Sequence, residues 1–276
     1  MNFIDANLDP LRNTGQVKIH TADDFDGMRK VGRMAAQVLD ALGEFVVPGV
    51  STQELDARAL GMIQDLGAVP APLNYRGFRK SICTSINHVV CHGIPGDKTL
   101  REGDIVNIDV TLFHEGWHGD HSRMYAAGRT SVKAIKLMDV TYDALMQGIQ
   151  VARPGATLGD IGHAIQSYAE LNRMSVVRDF CGHGLGRIFH DTPNILHYGR
   201  SGEGLVLREG MFFTIEPMLN LGKAAVKILG DGWTAVTRDR TLSAQYEHSV
   251  GITADGCEIF TKSLNGSDVP HRPPTA

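Results

Sequence analysis

The sequence predicts an α+β domain made from two copies of one unit, and three observations carry that prediction. Leu100-Arg101-Glu102-Gly103 recurs as Leu207-Arg208-Glu209-Gly210, a shift of 107 residues, and each copy runs on to an acid, Asp109 and Glu216. Pro48-Gly49 recurs as Pro154-Gly155, and each is followed by a helix-start signal. Both halves then pass from helical spacing to strand alternation in the same order. Two such units folded face to face would bring an acid from each to a local pseudo-twofold. Paired acids are costly to hold together unless a metal sits between them.

Residues 1–20 read as a short polar extension. Thr21 with Asp24 has the form of a helix start, and Met28, Val31, Met34, Ala35, Val38, Leu42 and Phe45 follow along one apolar face. Pro48-Gly49 breaks that helix, and Ser51 with Glu54 caps the next, which carries Leu55, Met62, Ile63 and Leu66. From Ile105 to Phe113 the pattern alternates, with Val106, Ile108, Val110 and Leu112 on one face and Asn107, Asp109 and Thr111 on the other. His114-Glu115-Gly116 makes a turn into a second strand through Gly119, Asp120 and Ser122.

In the second half Val132, Ile135, Met138, Tyr142, Leu145 and Ile149 mark a helix that Pro154-Gly155 stops. Thr157 with Asp160 caps another, bearing Ile161, Ala164, Ile165 and Tyr168. A glycine-rich stretch over 179–206 leads to the Leu207 copy and its strand, and strand-like runs near 224–238 and 245–252 close the unit. The predicted organisation is an extension (1–20), one domain (21–262, half-repeats of about 21–130 and 131–262) and a proline-bearing flexible tail (263–276).

Composition narrows the function classes. A net charge of −4 and a pI near 6.3 give no electrostatic case for nucleic acid or an anionic membrane. The start lacks a basic segment followed by an apolar run, and no apolar stretch approaches the roughly 20 residues of a membrane helix. Cys83, Cys91, Cys181 and Cys257 form no C-x-x-C pair, which argues against structural zinc and suits a reducing compartment. Cytoplasm is the expectation.

Asp109 and Asp120 fall on the two arms of one predicted hairpin, near each other if both face the same side. The polar face around Asp109 suits a solvated surface or a lined site. Cys181-Gly182-His183-Gly184-Leu185-Gly186-Arg187 sets a histidine among glycines that permit close approach of a ligand, although Gly-His-Gly alone is a weak signal. It lacks the G-x-G-x-x-G spacing of a nucleotide loop. Glu216-Pro217 ends the second strand copy, and Gln245-Tyr246-Glu247-His248 supplies a further acid. Asp109, Asp120, His183, Glu216 and Glu247 together make four carboxylates and one imidazole. Carboxylates can bridge two ions about 3.5–4 Å apart, and one imidazole favours Mn, Fe, Co or Zn over Ca or Mg.

With these residues assembled, the sequence resembles the type I methionine aminopeptidases of the pita-bread fold over about residues 20–262. The motifs are Val90-Cys91-His92-Gly93-Ile94-Pro95, Asn107-Ile108-Asp109-Val110, His118-Gly119-Asp120, Gly182-His183-Gly184-Leu185-Gly186, Phe213-Thr214-Ile215-Glu216-Pro217-Met218 and Ser243-Ala244-Gln245-Tyr246-Glu247-His248. The resemblance implies a metal-dependent enzyme that removes the initiator methionine from nascent polypeptides, with a small second residue. It implies that Asp109 binds one divalent ion, His183 and Glu216 the other, and Asp120 and Glu247 both.

By the same resemblance, hydroxide activated by the ion pair attacks the first peptide bond, with Glu216 as proton carrier. His92 and His190 hold the substrate's amino end and the reacting carbonyl. Without the resemblance His92 reads as a core histidine. Tyr75, Phe78, Cys83, Phe189 and Trp233 match positions that surround the methionine side chain in relatives, where an unbranched thioether suits an aromatic slot. Phe78 and Pro72 depart from the tyrosine and cysteine of close bacterial relatives. The family implies a monomer, and a methionine-removing enzyme is a candidate for ribosome docking.

Overall fold

The computed structural model describes residues 2–270. Strands β1 (Phe3–Asp5) and β2 (Val17–Ile19) pair in parallel, so the supposed polar extension is built into the molecule. Val17 belongs to the main core and Lys18 is buried in an ion pair with Asp191 at 2.9 Å. Helix α1 (Ala22–Leu42) starts where Asp24 Oδ2 accepts the Thr21 N–H at 2.9 Å, and α2 (Thr52–Asp65) where Ser51 Oγ accepts the Glu54 N–H at 3.1 Å. These caps satisfy donors that the first helical turn cannot.

Strands β3 (Val69–Pro70), β4 (Cys83–Ile86) and β5 (Val89–Cys91) follow, then β6 (Ile105–His114) and β7 (Trp117–Ala126). Glu115 (φ 48°) and Gly116 (φ 88°) make the tight turn between the last two. Val106, Ile108, Val110 and Leu112 bury one face of β6 in a core with Met28 and Leu39 of α1 and Leu55 and Ile63 of α2. Each such side chain contributes about 2 kcal/mol by leaving water. A Cβ at Gly119 would collide with the Val31 carbonyl, so α1 lies directly on β7. The opposite face of β6 carries Asn107, Asp109 and Thr111.

The second half repeats the plan with α3 (Val132–Val151) and α4 (Leu158–Leu171), where Thr157 and Asp160 form a reciprocal capping box. It continues through β8 (Ser175–Val176), β9 (Gly182–Gly184), β10 (Asp191–Ile195), β11 (Phe212–Ile215) and β12 (Met218–Asn220). The run near 224–238 is not one strand but a hairpin of β13 (Val226–Ile228) and β14 (Ala235–Thr237), turned at Asp231-Gly232. Strands β15 (Ser243–Gln245), β16 (His248–Ile252) and β17 (Cys257–Ile259) complete it.

The duplication reaches individual hydrogen bonds. Gly49 N–H donates to Leu100 O at 2.8 Å and Leu100 N–H to Val50 O at 2.9 Å. Gly155 N–H donates to Leu207 O at 3.1 Å and Leu207 N–H to Ala156 O at 2.7 Å. The expected flexible tail divides: 271–276 lie outside the described residues, whereas Ser263 N–H donates to Asp268 at 2.6 Å and Ser263 Oγ to Asp40 at 2.9 Å. Among the described residues no helix is long and apolar enough to cross a membrane.

Candidate metal centre

The two hairpins deliver the acids. Pairing of Thr111 with Asp120 and of Asp109 with Ser122 puts Asp109 and Asp120 on the same face of adjacent strands as diagonal neighbours. Cys83 of β4 pairs with Asp109 from the other side. In the second half β11 pairs with β16 and β12 with β15, and both strands of that ladder are interrupted at the same level. Glu216-Pro217 interrupts one strand, Tyr246-Glu247 the other. The N–H groups freed there find other partners: Glu216 N donates to His197 Nε2 at 3.1 Å, and Glu247 N to Ser122 O of β7 at 3.1 Å.

His183 comes from β9. Added Cβ atoms at Gly182 and Gly184 would strike the Thr214 and Thr192 carbonyls, so these glycines serve close approach of neighbouring strands, not of a ligand. Thr214 Oγ1 accepts the His183 N–H at 3.0 Å and donates to Glu216 Oε1 at 2.7 Å. One side chain therefore ties the His183 backbone to the Glu216 carboxylate.

Asp120, His183 and Glu247 can each offer a ligand atom with all of them within 4.8 Å of one another. His183 Nε2 lies 3.5 Å from Asp120 Oδ2 and 3.7 Å from Glu216 Oε1. Burial, and then the neighbouring acid Asp120, push the Asp109 and Glu247 carboxyls well above the usual carboxylate range. Glu216 is raised to about 7, chiefly by burial. Burial opposes the charged imidazole of His183, yet Asp120 and Glu216 together raise it to about 9. Acids crowded out of water, with a histidine drawing in a proton among them, form a site short of positive charge. Divalent cations fit that donor set of oxygens and one nitrogen.

All twelve residues singled out from the sequence line one cavity of ≈ 370 Å³: the five above with His92, His190, Tyr75, Phe78, Cys83, Phe189 and Trp233. His190 lies against His183, ring centroids 4.3 Å apart, and is sandwiched near Phe189 and Tyr75 at 4.0 and 5.1 Å. Its pKa falls to about 3 through burial and the charge of His183. His92 occupies the left-handed region (φ 56°), a strained backbone for a non-glycine residue, with its pKa lowered by burial. Phe78 meets Trp233 edge-on at 5.1 Å, and His92 meets Trp233 at 6.2 Å.

Neighbouring hydroxyl and amide side chains hold these groups, and nothing in their local sequence marks them. Thr111 Oγ1 donates to Asp120 Oδ1 at 2.6 Å, and Gln245 Nε2 to Glu216 Oε2 at 3.3 Å. Thr111 shares the Asp109 face, and Thr214 and Gln245 each lie two residues from a predicted ligand; their roles depend on pairing that no local pattern reveals.

The chain belongs to metallopeptidase family M24, whose family model matches residues 26–254. It is 59% identical to the methionine aminopeptidase of Rickettsia prowazekii (strain Madrid E) over 255 residues, covering 92% of this chain and 98% of that protein. It is 52% identical to methionine aminopeptidase A of a Synechocystis species over 239 residues, covering 86% of this chain and 94% of the relative. The crystal structure of the Rickettsia prowazekii enzyme superposes with a TM-score of 0.89, covering 90% of this chain and 100% of that one. Within M24 the chain thus stands with the type I methionine aminopeptidases, has the pita-bread fold and is a metal-dependent aminopeptidase.

Proposed function

We propose that this enzyme removes the N-terminal methionine from peptides and nascent chains in the cytoplasm, preferring a small second residue, with two divalent ions at its centre. The observation that carries the reading is one cavity with an acidic floor and an aromatic side slot. Asp109 would hold one ion, His183 and Glu216 the other, and Asp120 and Glu247 both. Bound divalent ions act as Lewis acids and lower the pKa of water from 15.7 to about 7. Mn, Fe, Co and Zn all suit the donors.

The chain's own groups orient the substrate. Tyr75, Phe78, Cys83, Phe189 and Trp233 offer the slot for an unbranched thioether. His92 and His190, neutral in this cavity, can each donate one N–H, to the reacting carbonyl or to the oxyanion that replaces it. Glu216, beside the reacting bond, would take a proton from the attacking water and pass it to the leaving amine. A free α-amine would offer its nitrogen lone pair at the metal site, which an internal peptide bond cannot, and this would confine action to chain ends.

Methionine release from Met-Ala-Ser, Met-Lys-Ser and Xaa-Pro dipeptides tests this reading, alongside metal analysis of protein purified without added metal. Rapid release from Met-Ala-Ser alone is expected. Equal rates on Met-Ala-Ser and Met-Lys-Ser would remove the second-residue preference, and faster cleavage before proline would overturn the substrate.

A further inference from the structure

Behind Glu247, away from the cavity, a charged side chain is almost wholly buried. Arg123 on β7 has only 3% of its side chain exposed. Its Nε donates to His121 Nε2 at 2.9 Å. An imidazolium has no acceptor nitrogen, so this bond requires a neutral ring with its proton on Nδ1. His121 Nδ1 accordingly donates to the Glu247 carbonyl at 2.5 Å. The ring is also stacked on His248, centroids 4.7 Å apart. His248 Nδ1 meets Thr261 Oγ1 at 2.9 Å, and Ser249 Oγ donates to the Asp120 carbonyl at 2.6 Å.

The guanidinium is fixed from the far side. One terminal nitrogen bonds Asp40 of α1, and Nη2 reaches Asp268 at 3.4 Å. Ser263 joins those two acids, donating Oγ to Asp40 at 2.9 Å and N–H to Asp268 at 2.6 Å. A continuous path of directional bonds therefore runs from residues 263–268 through Arg123 and His121 to the backbone of Glu247. Only a planar fork can serve His121 and both acids at once; an ammonium cannot.

We propose that Arg123 and His121 are positioning residues that set the Glu247 carboxylate for metal binding, and that Ser263–Asp268 is the clasp that holds Arg123 in register. This rests on the reading of Glu247 as a ligand. Groups that orient ligands from behind are commonly worth about 10–100-fold in metal affinity.

The test is calorimetric titration of the metal-stripped full chain with Mn²⁺, with kcat and KM on Met-Ala-Ser and far-UV circular dichroism. His121→Phe keeps the ring stack but loses both bonds; Arg123→Lys keeps the charge but loses the fork; Asp268→Ala loosens the clasp alone. Mn²⁺ affinity is expected to fall about 10–100-fold in the first two and less in the third. The expected loss is in kcat, with KM unchanged. Wild-type Mn²⁺ affinity in Arg123→Lys, or in a folded His121→Phe, would overturn the proposal, and an unaltered titration in Asp268→Ala would overturn the clasp. If His121→Phe fails to fold, the other two variants decide. Glu247→Gln separates the two readings: if it binds Mn²⁺ as the wild type does, the ligand assignment fails; if it loses an ion while the three variants do not, the ligand assignment stands and the positioning proposal fails.

Discussion

Set side by side, the two halves repeat their helices, caps and turns but not their hairpins. In the first half β6 and β7 pair over ten residues each, Ile105–His114 with Trp117–Ala126, and Asp109 and Asp120 stand within the ladder. In the second half the matching ladder is parted at Glu216-Pro217 and Tyr246-Glu247, and its two acids stand in the gap. The break releases backbone donors, and the Glu247 N–H crosses to Ser122 of the other half. The shared plan is kept where it builds the core and relaxed where it builds the cavity. A rigid arm and a parted arm thus face each other across the cavity.

The largest expected effect asks whether the arms contribute equally. Asp120→Asn and Glu247→Gln should each lower kcat/KM on the order of 10³-fold, about 4 kcal/mol, with far-UV circular dichroism unchanged. A tenfold gap between them would show that one arm dominates, and near-normal turnover in either would remove that acid from the centre.

Next is removal of the metal. A chelator should abolish turnover, and Mn²⁺ at about 100 times its Kd should restore it and stabilise the fold by about 2.7 kcal/mol. Hydrogen exchange sharpens the comparison. Stripping should deprotect Met218–Asn220 and Ser243–Gln245 more than Ile105–His114, because only the parted ladder lacks backbone pairing at the level of its acids. Equal deprotection would erase the distinction.

A smaller effect concerns the hydroxyls beneath the acids. Thr214→Val loses a bond to Glu216 and one from His183 N–H, whereas Thr111→Val loses only the bond to Asp120. Mn²⁺ affinity should fall about 10–100-fold in the first and less in the second. The reverse order would mean that the rigid arm is the more sensitive.

The smallest lies in the caps. Ser51→Ala and Thr157→Ala should each cost about 1 kcal/mol, or about 2–4 °C in Tm. The second should cost more, because Thr157 Oγ1 also donates to Asp160 Oδ2 at 3.0 Å. Hydrogen bonds from Ser201 and then from Thr157 and Gly202 hold the Asp160 carboxyl below the usual carboxylate range. Its contribution is present above about pH 4 and is lost as pH falls through the lowered pKa. Thermal melts at neutral and strongly acid pH should therefore show the gap between the two variants closing in acid.

Local pattern carried much of this fold. Three caps, four helices and the β6–β7 hairpin follow from spacing alone, because each depends on residues within a few positions. What escaped depends on distant partners. Lys18 is buried only because Asp191 waits for it, and Ser263 is anchored only because Asp40 and Asp268 meet it. The run at 224–238 contains a turn that apolar content alone concealed. At the cavity the twelve candidate residues converge, yet Thr111, Thr214 and Gln245 were illegible as their supports. A threonine beside a ligand looks like any other strand residue until pairing aims its hydroxyl.

The Lys18–Asp191 pair has a practical consequence. Asp191 follows His190 directly, Lys18 is its buried partner, and Thr192 Oγ1 is within 3.3 Å of Asn13. A proteolytic nick near Asn13, or a bulky affinity tag fused ahead of Phe3, would tug on the loop that carries an imidazole of the cavity. Leaving that aspartate unpartnered would cost about 3–5 kcal/mol. Preparations that differ only in how their first residues were processed should then differ in turnover, and a tag is better placed elsewhere.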